Sequence, residues 1–216
     1  MNKYYPILEP EKLYHIYNHA VGKSNIFKSE DNYYFFLEKY MQYISPYVDT
    51  FAYCLLPNHF HLAVRIKELQ QLQQLSKSSK LLESSVSNFL SKQFSNFFSC
   101  YTQSFNKQQI RRGGLFEQKF RRKLIETDEY FKNLIHYIHY NPVHHGFVED
   151  LRDWKFSSYQ QLSNSNNNNN NNNFPKVLKL LESSEVLNWF NNDINEFIEF
   201  HKIKSDFNKI KNIIIE

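Results

Sequence analysis

The chain is poor in cysteine and has no long hydrophobic run. Its 216 residues include two cysteines, Cys54 and Cys100, which lie in apolar stretches without the paired spacing of a zinc knuckle. We therefore expect reduced thiols and no disulfide framework, as is usual in the cytosol. The longest apolar run, residues 51–56, is far shorter than the roughly 20 residues of a membrane span. Residues 1–10 contain no apolar run either, so we expect a cytoplasmic protein with no membrane partner.

A strong excess of one charge is also missing. The 26 lysines and arginines against 22 acidic residues give a net charge of +4, which does not by itself indicate a nucleic-acid partner. Hydrophobic residues make up 41% of the chain and include 20 phenylalanines and 15 tyrosines, enough to bury a core. These values predict one globular domain of ordinary size with an appendage.

A low-complexity segment divides the chain. Residues 163–173 read Ser-Asn-Ser and then an unbroken asparagine run, which can bury little to offset the entropy of ordering it. We interpret residues 161–173 as a flexible linker, with self-association through asparagine ladders as the alternative. Residues 1–160 then form the main domain, and residues 174–216 form a small helical appendage without candidate chemistry.

Hydrophobic periodicity predicts both strands and helices in the main domain. Alternation predicts strands, and apolar residues spaced by three and four predict amphipathic helices. The predicted strands are residues 12–19, 49–56, 59–66 and 115–124, and the predicted helices are residues 30–44 and 84–105. Residues 68–75 are predicted to form a helical turn or two. The second and third strands form a hairpin, because Pro57-Asn58 joins them directly.

Two histidines separated by one apolar residue lie at the start of the third strand. Successive side chains of a strand point to opposite faces, so His59 and His61 share a face while Phe60 turns towards the core. Two imidazoles on one face can bind the same metal ion. This pattern alone predicts half of a metal site.

The last helix of the main domain presents a tyrosine and an amide together. Thr127 is a favourable N-cap, and the helix is expected to run to about residue 140, because Pro142 disfavours helical geometry at the residue before it. Tyr137 and Asn141 are four residues apart and so share one helix face. Tyr140 is the alternative tyrosine, but it points in another direction from the helix than Tyr137 and Asn141 do.

The modest net charge conceals a local basic strip. Between residues 107 and 123 seven cations stand against a single acid, Glu117, and Phe116 and Phe120 lie among them. Phosphates are the natural partner of such a strip, and the rings could stack on unpaired bases. A merely solvated surface is the other interpretation. The candidate DNA-binding residues are Lys107, Arg111, Arg112, Phe116, Lys119, Arg121, Arg122 and Lys123.

Five motifs follow one another over about residues 10–160. They read YHIYN at residues 14–18, AYCLLPNHFH at 52–61, GLFEQKF at 114–120, YIHYNPV at 137–143 and WKFSSY at 154–159. In this order and spacing the chain resembles the REP-associated tyrosine transposases, which are single-tyrosine members of the His-hydrophobe-His nuclease superfamily. The resemblance implies an α+β fold with a ferredoxin-like or RRM-like antiparallel sheet, helices on one face and the histidines on a central strand. The tyrosine helix would face those histidines.

The resemblance also implies a role for each matching residue. Tyr137 corresponds to the nucleophile, His59 and His61 to the metal ligands, and Asn141 to the polar residue that completes the metal shell. The implied activity is metal-assisted cleavage and rejoining of hairpin-containing single-stranded DNA through a 5′-phosphotyrosine. An amide oxygen and water among the ligands suit Mg²⁺ or Mn²⁺.

Other functions are still compatible with the sequence. A DNA-binding regulator without catalysis would keep the basic strip, and a metal-dependent hydrolase of small phosphate esters would use the histidines but would usually need acidic ligands. A mobile-element transposase and a domesticated host enzyme would share all the candidate residues. The resemblance is compatible with a monomer or with a homodimer that shares the tyrosine helix.

Overall fold

Four antiparallel strands form the central sheet. In the computed structural model, which describes residues 5–76, 81–164 and 180–202, they are β1 (Leu13–His19), β2 (Val48–Leu56), β3 (His59–Ile66) and β4 (Arg121–Ile125). Their order is β2-β3-β1-β4, so β1 and β3 are central. This order and the mixture of helices and strands confirm the predicted α+β, ferredoxin-like fold.

The described residues form seven α-helices. They are α1 (Glu30–Tyr43), α2 (Leu69–Leu75), α3 (Glu83–Gln108), α4 (Asp128–His144), α5 (Tyr159–Ser163), α6 (Ser183–Asn188) and α7 (Ile194–Lys202). Each predicted helix is present, with ends that differ by a few residues. None of these helices is both long and apolar enough to cross a membrane.

The strand predicted at residues 115–124 is shorter than expected. Continuous pairing with β1 covers only Arg121–Ile125, and the segment before it makes an isolated bridge between Phe116 and Ala20 and turns three side chains into the core. Leu115, Phe116 and Phe120 are all buried there. Alternation along β4 is therefore limited to five residues.

Helix α4 continues past the end that its proline predicts. We expected it to stop near residue 140, but it runs through Pro142 to His144. Proline removes only one backbone donor, and hydrogen bonds on both sides of it close the last turn. The side-chain amide of Asn141 donates to the Tyr137 carbonyl at 2.9 Å, and the backbone N–H of His145 donates to the Asn141 carbonyl at 3.0 Å. Asn141 is therefore inside the helix.

The sheet is covered by helices on both faces, whereas the resemblance implied helices on one face only. Phe60, Leu62 and Val64 of β3 pack into one core with α1 and α3, whereas Ala63 faces the opposite side and packs with α4. Because β3 alternates strictly, its histidines lie on the α4 face. His59 and His61 are thus enclosed between the sheet and α4, where solvent is excluded.

The part of the C-terminal tail that the structure describes, residues 180–202, is largely helical and packs beside α4. His201 Nδ1 donates to the Phe197 carbonyl at 2.7 Å, so its Nε2 accepts from His139 Nδ1 at 2.8 Å. His139 Nε2 in turn lies 2.8 Å from the Ser158 hydroxyl and accepts from it. The asparagine run from residue 166 and the tail residues 174–179 and 203–216 lie outside the described residues.

This buried histidine pair should make folding stability depend on pH. Burial lowers the pKa of His201 to about 3, and burial also holds the pKa of His139 well below its usual value. The unfolded chain, with histidine pKa values of about 6.5, binds more protons below that pH. We expect stability to be complete above about pH 7 and to fall by about 1.4 kcal/mol per pH unit for each such histidine as the solution is acidified.

Urea unfolding between pH 7.5 and 5.5 measures this loss. The variant His201→Phe should show a shallower dependence, because it lacks one of the two groups. Equal unfolding free energies for the wild-type protein across this range would contradict the expectation.

Candidate active site

The register of the two central strands assembles a group of aromatic side chains. His59 pairs with His19, and His61 pairs with Tyr17, while His15 pairs with Ala63 just beyond. His59 and His61 are each 2% exposed. They share one face, as their spacing predicts.

Helix α4 lies across this histidine-bearing face. The Tyr137 ring is 5.3 Å from the His61 ring, and the His145 ring is 5.1 Å from the His59 ring. Asn141 lies between Tyr137 and His145 in the same row of the helix, one turn from each. Asn141 therefore belongs to the same row of α4 as the two side chains that contact the paired histidines.

The alternative tyrosine lies elsewhere. Tyr140 is partly exposed, and its ring stacks on His136 at 5.6 Å. Tyr137, by contrast, is 1% exposed and adjoins both His61 and His15. Of these two tyrosines, Tyr137 is the one that lies beside the paired histidines.

Hydrogen bonds orient both imidazoles through the same ring nitrogen. Nδ1 of His59 donates to the side-chain oxygen of Asn58 at 2.8 Å. Nδ1 of His61 lies 2.9 Å from Nε2 of His15. In a histidine that binds metal, a hydrogen bond at one nitrogen leaves the other available as the ligand. Nε2 is that nitrogen in both residues.

The residues present fit a metal ion. Buried polar atoms normally have hydrogen-bond partners, yet Nε2 of His61 and Oδ1 of Asn141 have none among the described residues. Asn141 already uses its amide nitrogen on the Tyr137 carbonyl, which leaves the oxygen as its available ligand atom. Within the described residues no three His, Cys, Asp or Glu side chains form a metal-binding group, so such a site depends on the amide.

Burial keeps the imidazoles of His61 and His15 neutral by lowering the pKa of each. The pKa of His61 is well below its usual value because of burial, and the neighbouring histidines lower it further. Burial lowers the pKa of His15 to about 3, and the nearby Lys123 acts in the same direction. Neutral imidazole is the form that binds a metal.

The basic strip divides between the two faces of β4. Arg121 pairs with Tyr17 and Lys123 pairs with His15, so both lie on the face that carries the histidines. Arg122 pairs with Ile16 and lies on the other face. Lys107, Arg112 and Lys119 are exposed outside the strand. Two of the predicted contact residues are therefore adjacent to the candidate site.

Three members of the predicted DNA-binding set have structural roles instead. Phe116 is only 8% exposed and its ring packs against Phe98 at 4.8 Å, so it does not present a face for base stacking. The Arg122 guanidinium donates to the Pro6 carbonyl at 2.6 Å and to the Ser91 hydroxyl at 3.3 Å. Arg111 donates to Asn106 and to the Gly114 carbonyl, both at 2.9 Å. Sequence could not distinguish the two arginines from exposed cations, or Phe116 from an exposed ring, because these contacts form only in the folded chain.

Sequence reasoning left His15 and Asn58 out of the site. A signal for His15 was present, since it alternates with Tyr17 and His19 on a strand of the predicted sheet. Only the fold shows that β1 pairs with β3. This pairing brings His15 to the face of the sheet that carries His59 and His61.

Comparisons with known proteins find a relative by sequence and a solved structure with a similar fold. No protein-family model matches the chain. Over 115 residues it is 33% identical to the protein of Haemophilus influenzae named "Putative REP-associated tyrosine transposase". The expected resemblance is confirmed. The match covers 52% of this chain and 60% of the Haemophilus protein, so the chain spans about three fifths of that relative's length.

A solved structure described as a REP-associated tyrosine transposase bound to a REP hairpin has the same fold. Its TM-score with this chain is 0.54 at 15% sequence identity, and the match covers 74% of this chain and 84% of the other. At this identity the likeness concerns the fold alone. It supports the arrangement of the sheet and helices from which the site is built.

Arg122 and Arg112 provide a matched test of the division within the basic strip. Arg122→Ala should lower the free energy of unfolding by about 1–3 kcal/mol, because two hydrogen-bond acceptors lose their donor. Arg112→Ala removes an exposed cation and should change the free energy by less than about 0.5 kcal/mol. Urea unfolding measures both, and equal effects would contradict the structural role of Arg122.

Proposed function

We propose that this chain cleaves and rejoins single-stranded DNA, with Tyr137 as the nucleophile. The observation that carries the proposal is the placement of Tyr137 5.3 Å from His61, with Asn141 one helical turn further on. The similarity to the REP-associated tyrosine transposases supports it. A transposase or strand transferase is the corresponding enzyme class.

The proposed reaction exchanges one phosphate ester for another. The Tyr137 oxygen bonds to phosphorus while the bond to the upstream 3′ oxygen breaks, and the tyrosine proton ends on the released 3′-hydroxyl. The downstream strand is left as a 5′-phosphotyrosine. A 3′-hydroxyl can attack this ester and restore Tyr137, so cleavage and rejoining need no external energy source.

Tyrosine and phosphodiester both react poorly at neutral pH, because the phenol has a pKa near 10 and the phosphate is negatively charged. His59, His61 and Asn141 would hold the divalent cation, Mg²⁺ or Mn²⁺. When bound, such an ion neutralises charge on the phosphate and makes phosphorus a better electrophile. The α4 backbone holds Tyr137 and Asn141 in a fixed relation beside this site.

The proposed substrate is a single strand that carries a hairpin. Arg121 and Lys123 lie on the histidine-bearing face, where they could bind phosphates on either side of the scissile bond. The exposed Lys107, Arg112 and Lys119 extend the positive surface. The hairpin described for the solved transposase structure supports this choice of substrate.

The candidate site is closed in the described conformation. Tyr137 and the two histidines are each at most 2% exposed, and Asn141 is fully buried. A DNA phosphate can therefore reach them only when α4 or the adjoining side chains move. Exclusion of water would protect the phosphotyrosine from hydrolysis, but it requires an opening step before cleavage.

Trapping of a covalent adduct tests the nucleophile. With Mn²⁺ and single strands that carry hairpins from repeats next to the gene, the wild-type protein should give an adduct that survives denaturing electrophoresis. Tyr137→Phe removes only the hydroxyl and should reduce the adduct to background. Tyr140→Phe is the matched control and should leave it unchanged. Loss of adduct in Tyr140→Phe alone would contradict the assignment, and hairpin binding without any adduct or metal dependence would favour a regulator.

The salt dependence of DNA binding tests the proposed phosphate contact of Lys123. Lys123→Ala should weaken binding to all single strands and reduce the slope of log affinity against log salt by about 0.7. Lys39→Ala on α1 changes the charge equally on the far side of the sheet and should leave the slope unchanged. Fluorescence anisotropy at several salt concentrations measures the slope. Equal slopes for Lys123→Ala and the wild-type protein would contradict the contact.

A further inference from the structure

A third histidine contacts one of the paired histidines. His15, on the central strand β1, is 1% exposed, and its Nε2 lies 2.9 Å from Nδ1 of His61. The two rings are stacked, with centroids 5.1 Å apart and planes inclined by 26°. The ring of Tyr17 also stacks on the ring of His15, with centroids 4.7 Å apart. The ring of His15 is therefore held in place by the sheet.

One proton lies between the two facing nitrogens, and its position decides what His61 can do. If Nδ1 of His61 carries the proton and donates to His15, Nε2 of His61 keeps a lone pair. If Nε2 of His15 donates instead, neutral His61 carries its own proton on Nε2. In that second arrangement His61 has no lone pair for a metal ion.

The other member of the pair has no such choice. Nδ1 of His59 faces the side-chain oxygen of Asn58 at 2.8 Å, and an amide oxygen can only accept. Asn58 thus assigns the proton of His59 to Nδ1, so the lone pair of the neutral ring is on Nε2. His15 occupies the equivalent position for His61, but an imidazole can either donate or accept.

We propose that His15 is a positioning residue, which accepts the Nδ1 proton of His61 and so directs the Nε2 lone pair of His61 into the candidate site. This inference rests on the proposed function for its metal-binding purpose. Nε2 of His61 is buried and has no hydrogen-bond partner among the described residues, as expected of an atom kept for a ligand. His15 itself acts through His61 and touches neither the ion nor the DNA.

A purely structural role for His15 fits the observations less well. An apolar side chain would fill a central strand position between two layers without the cost of burying a polar ring. When Nε2 of neutral His15 accepts, the proton of His15 itself is on Nδ1, which is buried without a hydrogen-bond partner among the described residues, so the imidazole does not complete a larger polar network. Within the part of the chain that the structure describes, the contact with His61 is the one hydrogen bond that the ring of His15 makes.

Two variants separate acceptance of the proton from packing. His15→Gln can still offer an oxygen to Nδ1 of His61, whereas His15→Leu fills space without an acceptor. His136→Leu, which removes a buried histidine of α4 outside the site, is the matched control. All are studied as the full chain.

The ¹⁵N chemical shifts of the imidazole of His61, measured without metal, identify the nitrogen that carries the proton. We expect the Nδ1–H form in the wild-type protein, in His15→Gln and in His136→Leu, and a mixture of both forms in His15→Leu. Titration with Co²⁺, followed by its visible absorption, should then show affinity about 10-fold or more weaker in His15→Leu. His15→Gln should restore the affinity to within a few-fold of the wild-type value.

The outcomes distinguish this inference from the proposed function. An Nε2–H form of His61 in the wild-type protein would overturn the role of His15, and this result needs no variant that might fail to fold. Unchanged tautomer and Co²⁺ affinity in His15→Leu would overturn it as well, while Co²⁺ binding by the wild-type protein still supported the metal site. Equal Co²⁺ titrations of the wild-type protein and His61→Ala would contradict the metal site itself and, with it, the purpose assigned to His15.

Discussion

Burial of both faces of the sheet is the constraint on which the rest of the structure depends. Phe60 and Leu62 commit one side of β3 to the core with α1 and α3, so the alternating His59 and His61 must face α4. A slip of one residue would exchange the two sets. The hydrophobic residues that alternate with the histidines therefore determine which face of the sheet both histidine side chains point to. The same constraint brings α4 close enough for Tyr137 to adjoin His61.

Enclosure between two layers also sets the chemistry of the site. Burial disfavours charged imidazole and so keeps His15 and His61 neutral, which suits hydrogen bonding and metal binding. It makes each hydrogen bond to Nδ1 important, because a buried ring cannot exchange its partner for water. It also closes the site against a substrate as large as DNA. The proposed function therefore requires both a preorganised site and a movement of the residues that enclose it.

Much of this arrangement follows from the sequence, and the remainder depends on long-range contacts. Periodicity predicts β3 and the common face of His59 and His61, and helical spacing places Tyr137 with Asn141. Sequence alone assigned DNA binding to too many residues of the basic strip. Arg122, for example, donates hydrogen bonds to Pro6 and Ser91, which are far away in the chain. It ended α4 too early, since local proline preference was outweighed by packing and by hydrogen bonds around the last turn. His15 was left out of the site because its partner, His61, is brought to it only by strand pairing.

The central claim is that His59, His61 and Asn141 form one metal site beside Tyr137. Anomalous diffraction from crystals of the full chain grown with Mn²⁺ tests this claim most directly. We predict a single strong manganese peak within bonding distance of Nε2 of both histidines and of Oδ1 of Asn141, with the Tyr137 ring alongside. Manganese bound elsewhere, with these three atoms left without an ion, would contradict the claim.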